Sequence, residues 1–358
     1  MVTNVTKIDN TAFGGVAFLF PGQGAQYPGM ALDLLEAGGQ EVRNLFVMAS
    51  DIMGRDMAVL IRDADSETLK RSDIAQPAIT LANLAAAAFL REREIEPAAC
   101  AGFSLGEYAA LVTAGVITAE DCFRLVKVRG MAMQDSADRL SREAAGNAAV
   151  PGSAAASDVA GADGAADTAP GMAAVIGLSP ETVESLIAQW KTEAQQRQEL
   201  KDLYGANFNS PKQVVVSGTA AALTAAAEKF KAAGARRVLR LPVAGPFHSP
   251  LIADAAAVFA PALDGVVFME PLIPCYSNVS GDRVSDGEEA KVLALRQITE
   301  PVRWTAEEAL VAALNIEAAL ETGPGKVLQG LWKDAGSGIP CHAAGTVADM
   351  AALLGETE

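Results

Sequence analysis

At 358 residues and 50% hydrophobic composition, the chain is long enough for a large cored domain plus one smaller unit and too apolar to remain disordered. A formal net charge of −16 argues against general binding to nucleic acid, which needs a basic face to neutralise phosphates. The longest apolar stretches, such as Leu81 to Leu90, are alanine-rich and fall short of the ~20 residues of a membrane span, so no membrane helix is predicted.

Met1 to Asn10 is polar and lacks the basic and apolar regions of a signal peptide, which predicts a cytoplasmic chain. Val16 to Phe20 (VAFLF) then reads as a buried strand entering the tight loop Pro21-Gly22-Gln23-Gly24. Gln76-Pro77 reads as the opening of a helix through ITLANLAAAAFLRERE, with proline in its first turn. A strand over Ala98 to Phe103 follows, and the pattern becomes helical immediately after Ser104. Thr118, with Asp121 three residues on, predicts the cap of a helix that carries Arg129. Alternating short strands and helices imply a mostly parallel sheet.

Ala144 to Pro170 contains almost only Ala, Gly, Ser, Asp, Pro and Val, too little to offset its ordering entropy, and reads as a flexible insertion. From Gly171 the order is strand MAAVIG, a helix capped at Ser179-Pro180, strands around GANFN and QVVVSG, a helix from Thr219 to Gly234, and strand RRVLRLP. That β-α-β-β-α-β order is ferredoxin-like. The predicted architecture is a large α/β-hydrolase-like domain (1–142 and 243–358), interrupted by the insertion (143–170) and a small ferredoxin-like domain (171–242). Cys100, Cys122, Cys275 and Cys341 are scattered with no C-x-x-C pair, which predicts neither a metal site nor a disulfide.

The strongest local signal is Gly102-Phe103-Ser104-Leu105-Gly106, a G-x-S-x-G sequence where a strand becomes a helix. Its glycines permit the sharp turn that lifts a serine hydroxyl clear of the backbone, and a helix N-terminus behind it favours developing negative charge. A serine nucleophile needs a base, and the chain has only two histidines. His248 lies in the loop GPFHSP, a suitable place for catalysis, whereas His342 in IPCHAAG reads as a structural residue of a terminal strand. Gly22-Gln23-Gly24 resembles the start of a dinucleotide-binding loop, but Tyr27 stands where the third glycine is needed. The loop instead suits one backbone donor of an oxyanion hole, with the N–H of Leu105 as the other. On pattern alone Arg129 reads as a surface charge, and Arg236-Arg237, near Lys229 and Lys231, as a solvated face.

Taken together, FPGQGAQYPGM, QPAI, GFSLGEYAALVTAGVI, VKVRGMAMQ, NFNSPKQVVVSG, GPFHSPL and ETGPGKVLQGL resemble the malonyl-CoA:acyl carrier protein transacylases of bacterial fatty-acid synthesis, from about Val16 to Lys333 apart from the insertion. The resemblance implies Ser104 as the acylated residue and His248 as its base, oriented by the backbone carbonyl of Gln297. It implies Arg129 as the partner of the malonyl carboxylate, Gln23 and Leu105 as oxyanion donors, and Arg236 and Arg237 as a docking pair for the acidic carrier protein. Malonyl-CoA and acyl carrier protein are the implied partners, with no metal and no bound cofactor. The family usually has histidine where this chain has Phe103, a side chain the resemblance places along the acyl pocket. Three alternatives stay open: a related acyltransferase of polyketide synthesis, a serine hydrolase using His342, and a noncatalytic carrier-protein scaffold.

Overall fold

The computed structural model describes residues 15–148, 168–193 and 200–355. The first segment holds β1 (Val16–Phe20), α1 (Leu32–Ala37), α2 (Gln40–Met53), α3 (Met57–Asp63), α4 (Ser72–Arg91), β2 (Pro97–Gly102), α5 (Gly106–Thr113) and α6 (Ala119–Ala148). A second run holds β3 (Gly171–Ile176), α7 (Pro180–Glu193), β4 (Leu203–Ser210), β5 (Gln213–Gly218), α8 (Ala220–Ala232) and β6 (Arg237–Arg240). The last holds α9 (Ala253–Asp264), β7 (Tyr276–Ser277), β8 (Asp282–Arg283), α10 (Gly287–Arg296), α11 (Trp304–Ala312), β9 (Ala318–Glu321), α12 (Val327–Ala335), β10 (Cys341–Ala343) and α13 (Val347–Leu354).

The central sheet is parallel, in the order β10-β9-β1-β2, so the chain after the small unit returns to pair with the strand that began it. β1, in the middle of the sheet, is buried on both faces, which is why VAFLF is an unbroken apolar run rather than an alternating one. In register, Phe20 stands opposite Gly102, so the Pro21–Gly24 loop and the serine turn leave the sheet side by side. Glycine is required there for close approach: a Cβ on Gly106 would collide with the Phe20 carbonyl, and one on Gly22 with the Phe103 carbonyl.

α4 differs from its sequence reading. It starts at Ser72 and holds Pro77 in its interior, because Ile74 and Ala75 already pack into the core and the lost bond to the Asp73 carbonyl is tolerated. α4 is long and apolar enough to cross a membrane, yet 94% of its apolar window is buried inside the fold, where alanines let α2, α5 and α6 approach closely. α6 is capped as predicted, with Thr118 Oγ1 accepting from the Asp121 N–H at 3.0 Å. It runs on to Ala148, so the first residues of the segment read as a flexible insertion are helical, as their alanine content favours. Residues 149–167 of that segment lie outside the described residues.

The second sheet is antiparallel, in the order β4-β5-β3-β6. Alternate residues face opposite ways. Ala173, Val175, Val214 and Val216 join α7 and α8 in a core containing Trp190 and Phe230, while Met172, Ala174 and Val215 face the main core. β4 is further tied to the large unit by the Phe208 N–H to Val302 carbonyl bond and the Val302 N–H to Ala206 carbonyl bond, both 2.8 Å. Gly106→Ala forces a methyl against the β1 carbonyl and is expected to cost about 1–3 kcal/mol, measurable by urea unfolding. An unchanged midpoint would contradict this packing.

Candidate active site

Ser104 sits at the junction of β2 and α5 with φ 50°, and His248 in the loop before α9 has φ 55°. A left-handed backbone is unfavourable for a residue with a Cβ, so both must be held by their surroundings. The Ser104 N–H donates to Asn278 Oδ1 at 2.6 Å, and the Ser104 carbonyl accepts from Gln297 Nε2 at 3.0 Å. Asn278 Nδ2 also donates to the Gly102 carbonyl at 2.7 Å, clamping the turn from both sides. The His248 loop is held by Ser217 Oγ, which donates to the Phe247 carbonyl, and by Ser249 Oγ, which donates to the Pro246 carbonyl.

These constraints bring Ser104 Oγ within 2.8 Å of His248 Nε2, and His248 Nδ1 within 2.8 Å of the Gln297 carbonyl. A carbonyl can only accept, so Nδ1 carries the proton and Nε2 presents its lone pair to the serine. No carboxylate is needed to fix that tautomer. Burial first, and then the Arg129 charge, push His248 down to about 4, so the imidazole is neutral at ordinary pH.

Arg129 is not on the surface, where its pattern alone put it. It is 1% exposed, because α6 carries it inward beneath α4. Nη1 donates to Gln76 Oε1 at 2.8 Å and Nη2 to Gln297 Oε1 at 3.1 Å, with Ser104 Oγ 3.5 Å from Nη2. Its Nε makes no hydrogen bond, and the guanidinium lies 5.5 Å from the Tyr108 ring centroid. Two neutral amides thus hold a buried cation whose charge they do not neutralise.

Gln23 and Leu105 flank the serine on a cavity of about 860 Å3 between the two units, lined also by Met133, Asn209 and Val215. Neither backbone N–H makes a hydrogen bond among the described residues, although the Gln23 side chain is tied to the Lys70 carbonyl and to Ser72. Phe103 lines the same cavity, but its ring stacks edge-on to Trp304 at 5.5 Å and joins the apolar wall of Leu328 and Leu331. Arg236 and Arg237 are outside the reacting centre, exposed just ahead of and at the start of β6. Arg236 lines a smaller adjoining cavity of about 340 Å3 with Lys212 and Asp334. His342 lies half-buried on β10, with β9 and β1 between it and β2.

Sequence reasoning missed Asn278, Glu107 and Gln76. Glu107 is fully buried, and its Oε2 accepts from Gln297 Nε2 at 2.6 Å and from the Asn278 N–H at 3.0 Å. Desolvation raises its carboxyl to about 7 against the pull of those donors. Its place three residues after Ser104, in the first turn of α5, was a usable signal; Asn278 had none.

Because a protonated imidazole cannot act as base, reaction of Ser104 with a fluorophosphonate should stay level from about pH 8 to about pH 5. It should fall about tenfold per unit below about 4. A midpoint near the ordinary histidine value of about 6.5 would contradict the buried, Arg129-facing environment.

The chain matches the family described as acyl transferase domain over residues 17–200 and 154–352. It is 36% identical over 339 residues to the malonyl CoA-acyl carrier protein transacylase of Escherichia coli K12, covering 94% of this chain and 98% of that protein. The enzyme of the same name from Bacillus subtilis is 35% identical, covering 89% of each. Among solved structures, an acyl carrier protein S-malonyltransferase from Vibrio cholerae aligns with a TM-score of 0.79 at 36% identity, over 95% of this chain and 99% of that one. A malonyl-transacylase solved with its type II polyketide acyl-carrier protein aligns with a TM-score of 0.80 at 32% identity, over 96% and 100%. With a serine–histidine pair, a buried arginine and two free backbone donors around one cavity, and with relatives of this similarity over almost its whole length, the chain belongs to the malonyl-CoA:acyl carrier protein transacylases.

Proposed function

We propose that the chain moves a malonyl group from coenzyme A to the phosphopantetheine thiol of acyl carrier protein through an ester on Ser104, supplying malonyl carrier protein for fatty-acid synthesis. The observation that carries the acyl choice is Arg129, a buried guanidinium at the reacting serine with an unused Nε donor and, among the described residues, no carboxylate hydrogen-bonded to it. A substrate carboxylate completes that site. The planar fork suits it, and the missing partner is an anion rather than another amide.

In the first half-reaction Ser104 Oγ attacks the thioester carbonyl carbon while His248 Nε2 takes its proton. The resulting oxyanion is met by the N–H groups of Gln23 and Leu105. The C–S bond breaks, the proton on His248 passes to the departing sulfur, and coenzyme A leaves as thiol. In the second half-reaction the carrier thiol gives its proton to His248 and attacks the ester. Collapse returns that proton to Ser104 Oγ. Gln297 serves both histidine and arginine, the first by its carbonyl and the second by its side-chain oxygen.

The large catalytic unit is read as 1–142 with 243–358 and the inserted unit, 171–242, as ferredoxin-like; the strand order β4-β5-β3-β6 with two helices on one face supports this. Arg236 and Arg237, exposed where β6 begins and with Arg236 on the smaller adjoining cavity, are the proposed contacts for the acidic carrier protein. Polyketide carrier proteins are a second candidate partner, since one structural relative was solved with a type II polyketide carrier. A hydrolase using His342 is disfavoured by that residue's distance across the sheet.

Mixing the chain with malonyl-CoA should add one malonyl mass to the intact protein, lost in Ser104→Ala; no adduct would leave only a carrier-protein scaffold. Arg129→Ala should lower kcat/KM for malonyl-CoA by about two orders of magnitude or more, as for breaking a buried charge pair, while sparing acetyl-CoA. Equal loss of both would rule out the carboxylate role.

A further inference from the structure

Behind the reacting atoms lies a carboxyl that the transfer reaction does not use. Glu107 is buried in the first turn of α5. Its Oε2 accepts from Gln297 Nε2 at 2.6 Å, and the Oε1 of the same amide accepts from Arg129 Nη2 at 3.1 Å. One planar amide therefore joins this carboxyl to the guanidinium at the cavity, and among the described residues Glu107 is, after Tyr108, an acidic group whose charge acts on Arg129.

We propose that Glu107 is a positioning residue that sets acyl selectivity: through the Gln297 amide it governs how much of the Arg129 charge is free, so that binding an acyl carboxylate is coupled to uptake of a proton by Glu107. This rests on the reading of Arg129 as the carboxylate's partner. An ionised Glu107 and an incoming carboxylate are two anions competing for one guanidinium in a site sheltered from water. A neutral Glu107 leaves the guanidinium to the substrate. It does so without rearrangement, since Oε2 can keep accepting from the Asn278 N–H and from Gln297 while the proton resides on Oε1.

The groups around Glu107 leave it to carry the change. Burial and the nearness of Glu107 hold Glu307, on α11, protonated well above the usual carboxylate range. Burial raises Tyr108 on α5, and Cys275 ahead of β7 is raised by its contact with Cys100 and by burial. His248 is neutral above about 4. Glu308, at about 8, is set by burial, Trp304 and Asp334 rather than by the Arg129 network. Glu107 itself, at about 7 before substrate arrives, is driven higher by a second anion. Above about pH 7 malonyl binding therefore draws in a proton, and its affinity falls as pH rises, by up to about tenfold per unit.

The test uses the full chain as Ser104→Ala, which binds thioesters without being acylated, titrated calorimetrically near pH 7.5 in buffers of differing ionisation enthalpy. Malonyl-CoA should take up a substantial fraction of a proton more than acetyl-CoA, which cancels the coenzyme's own phosphates. The excess should vanish when Glu107→Gln is added, a change that keeps both acceptor bonds. In the unsubstituted enzyme, the ratio of kcat/KM for malonyl-CoA over acetyl-CoA should fall on the order of tenfold between pH 7 and 8.5, and stay level in Glu107→Gln. Equal proton uptake from the two thioesters overturns the coupling whether or not the Glu107 variant folds, and an excess that survives Glu107→Gln overturns the assignment to Glu107. If Arg129→Ala abolishes malonyl preference while no excess uptake is seen, the coupling fails and the transfer reading stands.

Discussion

The site depends on keeping a guanidinium charged and buried without giving it a carboxylate of its own. Burying such an ion costs several kcal/mol even after relaxation, and proteins usually offset this with a paired acid. Here Gln76 and Gln297 supply acceptor oxygens instead. Amides satisfy the donors but leave the charge outstanding, so the site keeps an appetite for an anion that a salt bridge would have removed. Glu107 is set one amide further back, near enough to lessen the cost of the charge and too far to quench it.

Among the described residues, Gln297 carries much of the arrangement through its backbone and side chain together. Its carbonyl fixes the histidine tautomer, its side-chain oxygen holds Arg129, and its nitrogen binds both Glu107 and the Ser104 carbonyl. The left-handed backbone at Ser104 persists because Gln297 and Asn278 hold the two peptide groups that flank it. Orientation of the base, placement of the cation and strain at the nucleophile are therefore coupled through one residue at the end of α10, and that residue is wholly buried.

Much of this was legible in the sequence where the requirement is local. The G-x-S-x-G turn could be read because its glycines answer to clashes within a few residues and with the adjacent strand. His248 emerged because only two histidines exist and one lies on a terminal strand. Gln297 and Arg129 came from family resemblance, since a buried arginine on an amphipathic helix has the same pattern as an exposed one. Asn278 stayed hidden, as its partner is 174 residues away and no periodicity encodes such a contact, whereas Glu107 was passed over although its place three residues after Ser104 marked it. The misplaced start of α4 has a different cause: Pro77 marks a helix start by its chemistry, yet core packing of the preceding turn outweighed the one bond it forfeits.

The return of the chain to its first sheet also dictates when the serine becomes reactive. Ser104 is synthesised 144 residues before His248, and the carbonyl that orients the imidazole follows 49 residues later still, with a separately cored antiparallel unit between them. Closing contacts of that span is slow and comes late in folding. A nascent chain on the ribosome therefore carries an unactivated hydroxyl while the intervening residues are made, and the nucleophile is armed only once His248 and Gln297 have emerged and docked.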